Sequence, residues 1–104
     1  MKKPKIFFRT IGTSGPLAIY WYPGPYGDVI ESESGNGVFW QTQNGLLLGV
    51  EFDDVNKNYD HQILRLPFGS AIEITVNDGR VTINNILKKQ KIPLKRTQAK
   101  EKAK

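Results

Sequence analysis

The sequence predicts a mainly β protein: a small twisted antiparallel sheet or meander, or a partly open barrel, of about six or seven short strands with little helix. Three observations lead there. Gly, Pro, Asn and Asp cut residues 1–86 into short pieces rich in β-branched and aromatic residues. Two of those pieces fold back on themselves around Asn44-Gly45 and Asp78-Gly79, the dipeptides that favour tight hairpin turns. Good helix formers gather only from about Asn85 onward, where Pro93 interrupts them.

Ile6–Ile11 reads as a first strand, Gly12–Pro16 as a loop, and Leu17–Tyr22 as a second strand. Pro23-Gly24-Pro25-Tyr26-Gly27 is a turn that no regular element runs through. Asp28–Ser32 reads as a short strand closed by Ser34-Gly35-Asn36-Gly37. A type I′ turn at Asn44-Gly45 would set Thr42 opposite Leu47, Gln41 opposite Leu48, Trp40 opposite Gly49 and Phe39 opposite Val50. Phe39, Leu48, Val50 and Phe52 then share one face, and Trp40 covers the backbone that Gly49 leaves bare. With apolar groups on both faces, this hairpin belongs at the centre of the sheet. His61–Leu66 is a strand ended by Pro67. Around Asp78-Gly79, Val76 pairs with Val81, Thr75 with Thr82, Ile74 with Ile83 and Glu73 with Asn84. Ile72, Ile74, Val76, Val81 and Ile83 make a continuous apolar face, and Glu73, Thr75, Thr82 and Asn84 a polar one.

The chain has 104 residues, enough for one domain that buries about 60–65% of its unfolded surface. Its net charge of +5 divides unevenly. Residues 1–86 carry seven Lys/Arg and nine Asp/Glu, whereas residues 87–104 carry eight and one. The predicted organisation is therefore a mildly acidic β domain over 1–87 and a basic, disordered tail over 88–104, whose composition buries too little to offset the cost of ordering. With no cysteine, disulfides and thiolate metal sites are excluded. No apolar run approaches the roughly 18 residues of a membrane span. Between the basic opening and Arg9 stand only Ile6, Phe7 and Phe8, too short for a signal-peptide core. A cytoplasmic location and no membrane partner are expected.

Five pieces between Leu17 and Asp54 carry a family resemblance: Leu17-Ala18-Ile19-Tyr20, Val29-Ile30-Glu31-Ser32, Gly37-Val38-Phe39, Asn44-Gly45 and Gly49-Val50-Glu51-Phe52. Their order and spacing resemble a widespread family of small bacterial β-rich domains of unknown function, some of them antitoxin-like. The family's Tyr-Asp opening is replaced here by Gly15-Pro16, and residues 57–104 have no counterpart. The resemblance implies a compact β-meander without catalytic activity, and a protein partner.

Candidate sites follow from residue chemistry. Asp60-His61 has the chemistry of half an acid–base pair, but strand neighbours point to opposite faces, no second histidine exists, and no serine stands in a nucleophile elbow, so a strand-edge His is the favoured reading. Glu51, Asp53, Asp54 and Asp60 are the densest acidic group, yet their spacing fits no EF-hand loop, so no metal or cofactor is expected. Aromatic residues concentrate at Tyr20, Trp21, Tyr22, Tyr26, Phe39 and Trp40. A nucleic-acid stacking platform needs cations among its rings, and residues 10–56 contain no Lys or Arg. A protein interface at Tyr20, Trp21, Tyr22 and Trp40 is the favoured use, with an exposed patch near Trp21 and Trp40. Lys88, Lys89, Lys91, Lys95 and Arg96 in the tail are the candidates for nucleic acid or an acidic partner, supported by Lys2, Lys3, Lys5 and Arg9. The two functional expectations are thus a non-enzymatic protein-interaction module and a nucleic-acid-binding accessory protein.

Deleting residues 88–104 removes eight of the fifteen basic side chains and none of the hairpin apolar positions. The melting temperature is expected to move by no more than a few degrees, as for an exposed terminus. A collapse of the thermal transition on truncation would show instead that the tail is part of the folded unit.

Overall fold

The computed structural model describes residues 3–22 and 27–86, which form eight strands in two antiparallel sheets. The strands are β1 (Lys5–Phe8), β2 (Ser14–Tyr20), β3 (Asp28–Glu31), β4 (Gly37–Gln41), β5 (Leu47–Asn56), β6 (Tyr59–Arg65), β7 (Ala71–Asn77) and β8 (Arg80–Ile86). The larger sheet has the order β1-β2-β5-β4-β3, and the smaller β6-β7-β8. The β4–β5 hairpin is central, as its two apolar faces require. A single 3₁₀ turn at Pro67–Gly69 joins β6 to β7, and there is no α-helix among the described residues. The tail and Tyr26 lie outside the described residues.

The two sheets close on one core. Leu17, Ile19, Trp21, Phe39, Val50, Phe52 and Val55 enter it from the large-sheet segments, and Leu64, Leu66, Ile72, Ile74 and Val76 from the small-sheet side. In the large sheet, paired positions such as Ile19–Val50–Phe39 carry apolar side chains inward across three strands. In the small sheet, Ile72, Ile74 and Val76 are wholly buried, with Val81 and Ile83 packed against them from β8. The register around Asp78-Gly79 is the one the sequence predicts, residue for residue from Val76–Val81 to Glu73–Asn84. Both turn residues take positive φ, 55° and 80°, as a type I′ turn demands.

The Asn44-Gly45 hairpin differs in its turn. Only Gly45 takes positive φ (87°), and its N–H donates to the Thr42 carbonyl. This is a three-residue loop, a type I turn followed by a left-handed glycine. The Thr42 hydroxyl accepts from the Leu46 N–H and ties the loop shut. The added residue shifts the register between Trp40 and Gln41, so Gln41 faces Leu47 rather than Leu48. Leu47 thereby packs against the core cluster, and Leu48, though buried, stands outside it. Trp40–Gly49 and Phe39–Val50 keep their predicted pairing.

The loop predicted at Gly12–Pro16 is shorter. Gly12-Thr13 forms the turn, and Ser14–Pro16 already belongs to β2. Pro16 fits because the β2–β5 register shifts between Gly15 and Leu17, where a missing N–H breaks no regular rung.

Ile74→Asp places a carboxylate on the buried face, and Thr75→Asp places one on the outer face of the same strand. An unpaired buried charge costs several kcal/mol of a total near 5–15 kcal/mol. The first variant is expected to unfold or aggregate and the second to melt near the wild type. Equal tolerance of both would refute the inward register of β7.

Candidate functional site

Strand pairing fixes what the large sheet shows to solvent. Directly paired residues share a face, so Lys5, Tyr20, Gly49, Trp40 and Val29 form one row across all five strands. Phe7, Ala18, Glu51, Val38 and Glu31 form the next row. This is the face opposite the core. Phe7, at 43% exposure, and Val29, at 59%, are open, and Tyr20 and Trp40 are partly exposed.

The rings make a continuous row. Tyr20 and Trp40 meet with centroids 5.6 Å apart and planes tilted by 57°. Phe7 and Tyr20 follow at 5.8 Å and 52°. Such tilted pairs contribute about 0.5–1.5 kcal/mol beyond the area they bury. Gly49 lies between Tyr20 and Trp40 in the ladder and makes this contact possible. A side chain there would collide with the Tyr20 ring and come within 2.8 Å of the Ile19 carbonyl oxygen. The Arg9 guanidinium lies 6.0 Å from the Phe7 ring centroid and closes the row on the β1 side.

The predicted interface set therefore divides. Tyr20 and Trp40 stand on the exposed face. Trp21 does not: it is 3% exposed and part of the core, because alternation turns it away from Tyr20. Its N–H donates to the Leu48 carbonyl at 2.9 Å. Tyr22 packs against the same core cluster, and Phe39 is buried within it. The patch is centred on Phe7, Tyr20 and Trp40, not on Trp21. Phe7 was missed because its partnership with Tyr20 arises only when β1 pairs with β2. Lys88, Lys89, Lys91, Lys95 and Arg96 lie outside the described residues.

Asp60 and His61 have separate tasks. Asp60 accepts from the Asn56 N–H at 2.9 Å, from Gln62 Nε2 at 3.1 Å and from the His61 N–H at 2.8 Å. Burial pushes its carboxyl up, but these hydrogen bonds and the nearby His61 charge outweigh burial and hold it below its ordinary value. His61 Nε2 lies 2.6 Å from Glu73 Oε2 on the outer face of the small sheet. Asn84 Nδ2 donates to the other Glu73 oxygen at 3.1 Å. The His61 contact, then the Asn84 one, holds the Glu73 carboxyl below its ordinary value. Among the described residues, no three His, Asp or Glu side chains converge as metal ligands.

An apolar cleft of about 500 Å³ opens where the β4–β5 turn approaches the Pro67–Gly69 turn, with Phe39, Leu47, Leu66, Pro67 and Phe68 on its walls. Phe68 is 84% exposed and holds φ 62°, ψ 28°, a left-handed conformation uncommon for a bulky residue. The only sequence signal was Pro67-Phe68-Gly69, which reads equally well as a plain strand terminator. No protein-family model, curated protein or solved structure matches this chain.

The lowered carboxyls of Asp60 and Glu73 make the fold sensitive to acid. Because the folded values lie below the unfolded ones (3.8 and 4.5), the unfolded chain binds more protons in that range. The stabilisation is present above 4.5 and is lost as pH falls through the lowered folded values. Denaturant midpoints should fall between neutral pH and about pH 3, and Glu73→Gln should shrink that fall. An equal fall in the variant would remove Glu73 from the account.

Proposed function

We propose that the chain is a non-enzymatic protein-interaction module whose binding face is the solvent side of the five-stranded sheet. The observation that carries this is the ring row Phe7–Tyr20–Trp40 on the face opposite the core, with Phe7 open and Tyr20 and Trp40 partly exposed. Rigid, half-exposed Trp and Tyr side chains supply large contact area at little entropic cost, and such residues dominate interface energetics. Cations and carboxylates share the face: Lys5 and Arg9 flank the rings on one side, and Glu31 and Glu51 stand in the adjoining row. A mixed rim of this kind suits a protein partner. An antitoxin-like or regulatory role is the form that the resemblance of residues 17–54 suggests. No helix among the described residues is long and apolar enough to cross a membrane.

The alternative is nucleic-acid binding by a tail-assisted accessory protein. It gains one observation: β1 sets Lys5 beside Tyr20, whose own stretch of sequence lacks any cation, and Arg9 lies over the neighbouring Phe7 ring. Against it stand Glu31 and Glu51, which would face phosphate on the same surface.

The two readings part under nuclease. A partner captured on the native protein from source cells should survive nuclease treatment. Trp40→Ala should weaken its binding about 30-fold or more, the loss expected when an anchor worth about 2 kcal/mol is removed. Thr82→Ala, on the outer face of the other sheet, should leave binding unchanged. Binding abolished by nuclease, or indifferent to Trp40, would defeat the protein-interface reading.

A further inference from the structure

Among the described residues the five-stranded sheet ends in two edges that pair on one side only: β1, against β2, and β3, against β4. Both are four residues long. An unpaired edge offers N–H and C=O groups to an incoming strand, and charged residues usually discourage that. They do so when the approaching edges carry the same sign. Here the signs are opposite. Residues 3–10, around β1, contain Lys3, Lys5 and Arg9 and no acid. Residues 27–34, around β3, contain Asp28, Glu31 and Glu33 and no base. Each edge also leaves apolar side chains open: Ile6 at 40% and Phe7 at 43% on β1, Val29 at 59% on β3.

Topology decides how the two edges can meet. Every neighbouring pair in the order β1-β2-β5-β4-β3 is antiparallel, so β1 and β3 run in the same direction. A second copy placed beside the first, with the same face outward, offers its β1 parallel to β3. Keeping inner residues on the inner side and outer residues on the outer side then leaves registers two residues apart, and charge complementarity chooses among them. Phe7 comes beside Val29 and Arg9 beside Glu31 on the outer face, while Phe8 comes beside Ile30 on the core side. Apolar meets apolar at Phe7–Val29 and Phe8–Ile30 and base meets acid at Arg9–Glu31, while Ile6 comes beside Asp28.

We propose that this chain associates with further copies of itself by strand addition, the basic β1 edge of one copy joining the acidic β3 edge of the next. Such a contact is head-to-tail, so it grows in series or closes into a ring rather than stopping at a two-fold dimer. The ring row would continue from one copy to the next. The inference does not depend on any partner for the aromatic face, since purified protein alone tests it.

Sedimentation velocity over a range of concentrations is the measurement. The native chain should rise above the 11.8 kDa of one copy as concentration increases. It should fall back near about 1 M salt, where the screening length is about 3 Å. Lys5→Glu with Arg9→Glu makes both edges acidic, and Asp28→Lys with Glu31→Lys makes both basic. All four positions are exposed, so both variants should fold and each alone should sediment as one copy. Mixed in equal amounts they should assemble again, because each supplies the edge the other has lost. Three results would overturn the proposal: a native chain that stays at the mass of one copy throughout, assembly unchanged by either charge reversal, or a mixture that fails to recover it.

Discussion

The fold depends on the seam where the chain leaves one sheet and enters the other. β5 ends at Asn56 and β6 begins at Tyr59, so only Lys57 and Asn58 lie between strands that belong to different sheets. The ladder cannot continue across this divergence, yet the backbone groups along it still need partners, since each one left unmade costs about 1–3 kcal/mol. Side chains take over. Gln62 Nε2 donates to the Asp54 carbonyl at 2.7 Å, and Asp60 accepts from the Asn56 N–H. From the β3–β4 loop, Asn36 Nδ2 donates to the Ile63 carbonyl at 3.0 Å and Ser34 Oγ accepts from the Arg65 N–H at 3.0 Å. The connection itself is held by two other turns: Lys57 N–H donates to the Thr13 carbonyl, and the N–H groups of Asp78 and Gly79 donate to the carbonyls of Asn58 and Lys57. With the seam fixed, Phe52 and Val55 of one sheet and Leu64 and Val76 of the other join one buried cluster.

The same seam explains why the strand edges are unequal. Ile63 and Arg65 present their groups on the side of β6 away from β7, and the Ser34–Asn36 loop covers them. That edge is closed to other strands by hydrogen bonding. On β1 and β3 charge stands in place of covering groups, positive on one and negative on the other. Single-signed charge would isolate an edge, whereas opposite signs on two edges of one sheet select the pairing of unlike edges and disfavour that of like ones.

What could be read in the sequence was whatever had a definite sign. The β7–β8 ribbon alternates apolar and polar residues, so its inner face, its register and its Asp78-Gly79 turn were all legible. In Leu17–Tyr22 both alternating sets are apolar or aromatic. Periodicity there separates Tyr20 from Trp21 without saying which one faces water, and the interface set mixed a core residue with a surface one. Asn44-Gly45 serves both a two-residue and a three-residue loop, and nothing local decides between them. The division into two sheets was invisible because it rests in part on Asn36 reaching Gln62 and Ile63 from a distant part of the chain. Phe7 was hidden for the same reason, since its neighbours on the sheet come from another strand.

The core and the exposed ring row are consequently one specification. Tyr20, Gly49 and Trp40 align across β2, β5 and β4 only because Ile19, Val50 and Phe39 align one position away on the opposite face. A slip of one residue in β2 or β4 would turn Tyr20 or Trp40 inward and Ile19 or Phe39 outward, and the lost burial would exceed anything the surface could regain. Gly49 tightens the coupling. It has no side chain to contribute to either face, yet the Tyr20–Trp40 contact exists only above a position without a Cβ. A residue that looks dispensable to the core is therefore the one that lets the inner register set the geometry of the outer surface. Any larger side chain there would press on both the Tyr20 ring and the Ile19 carbonyl, so ring row and ladder would move together.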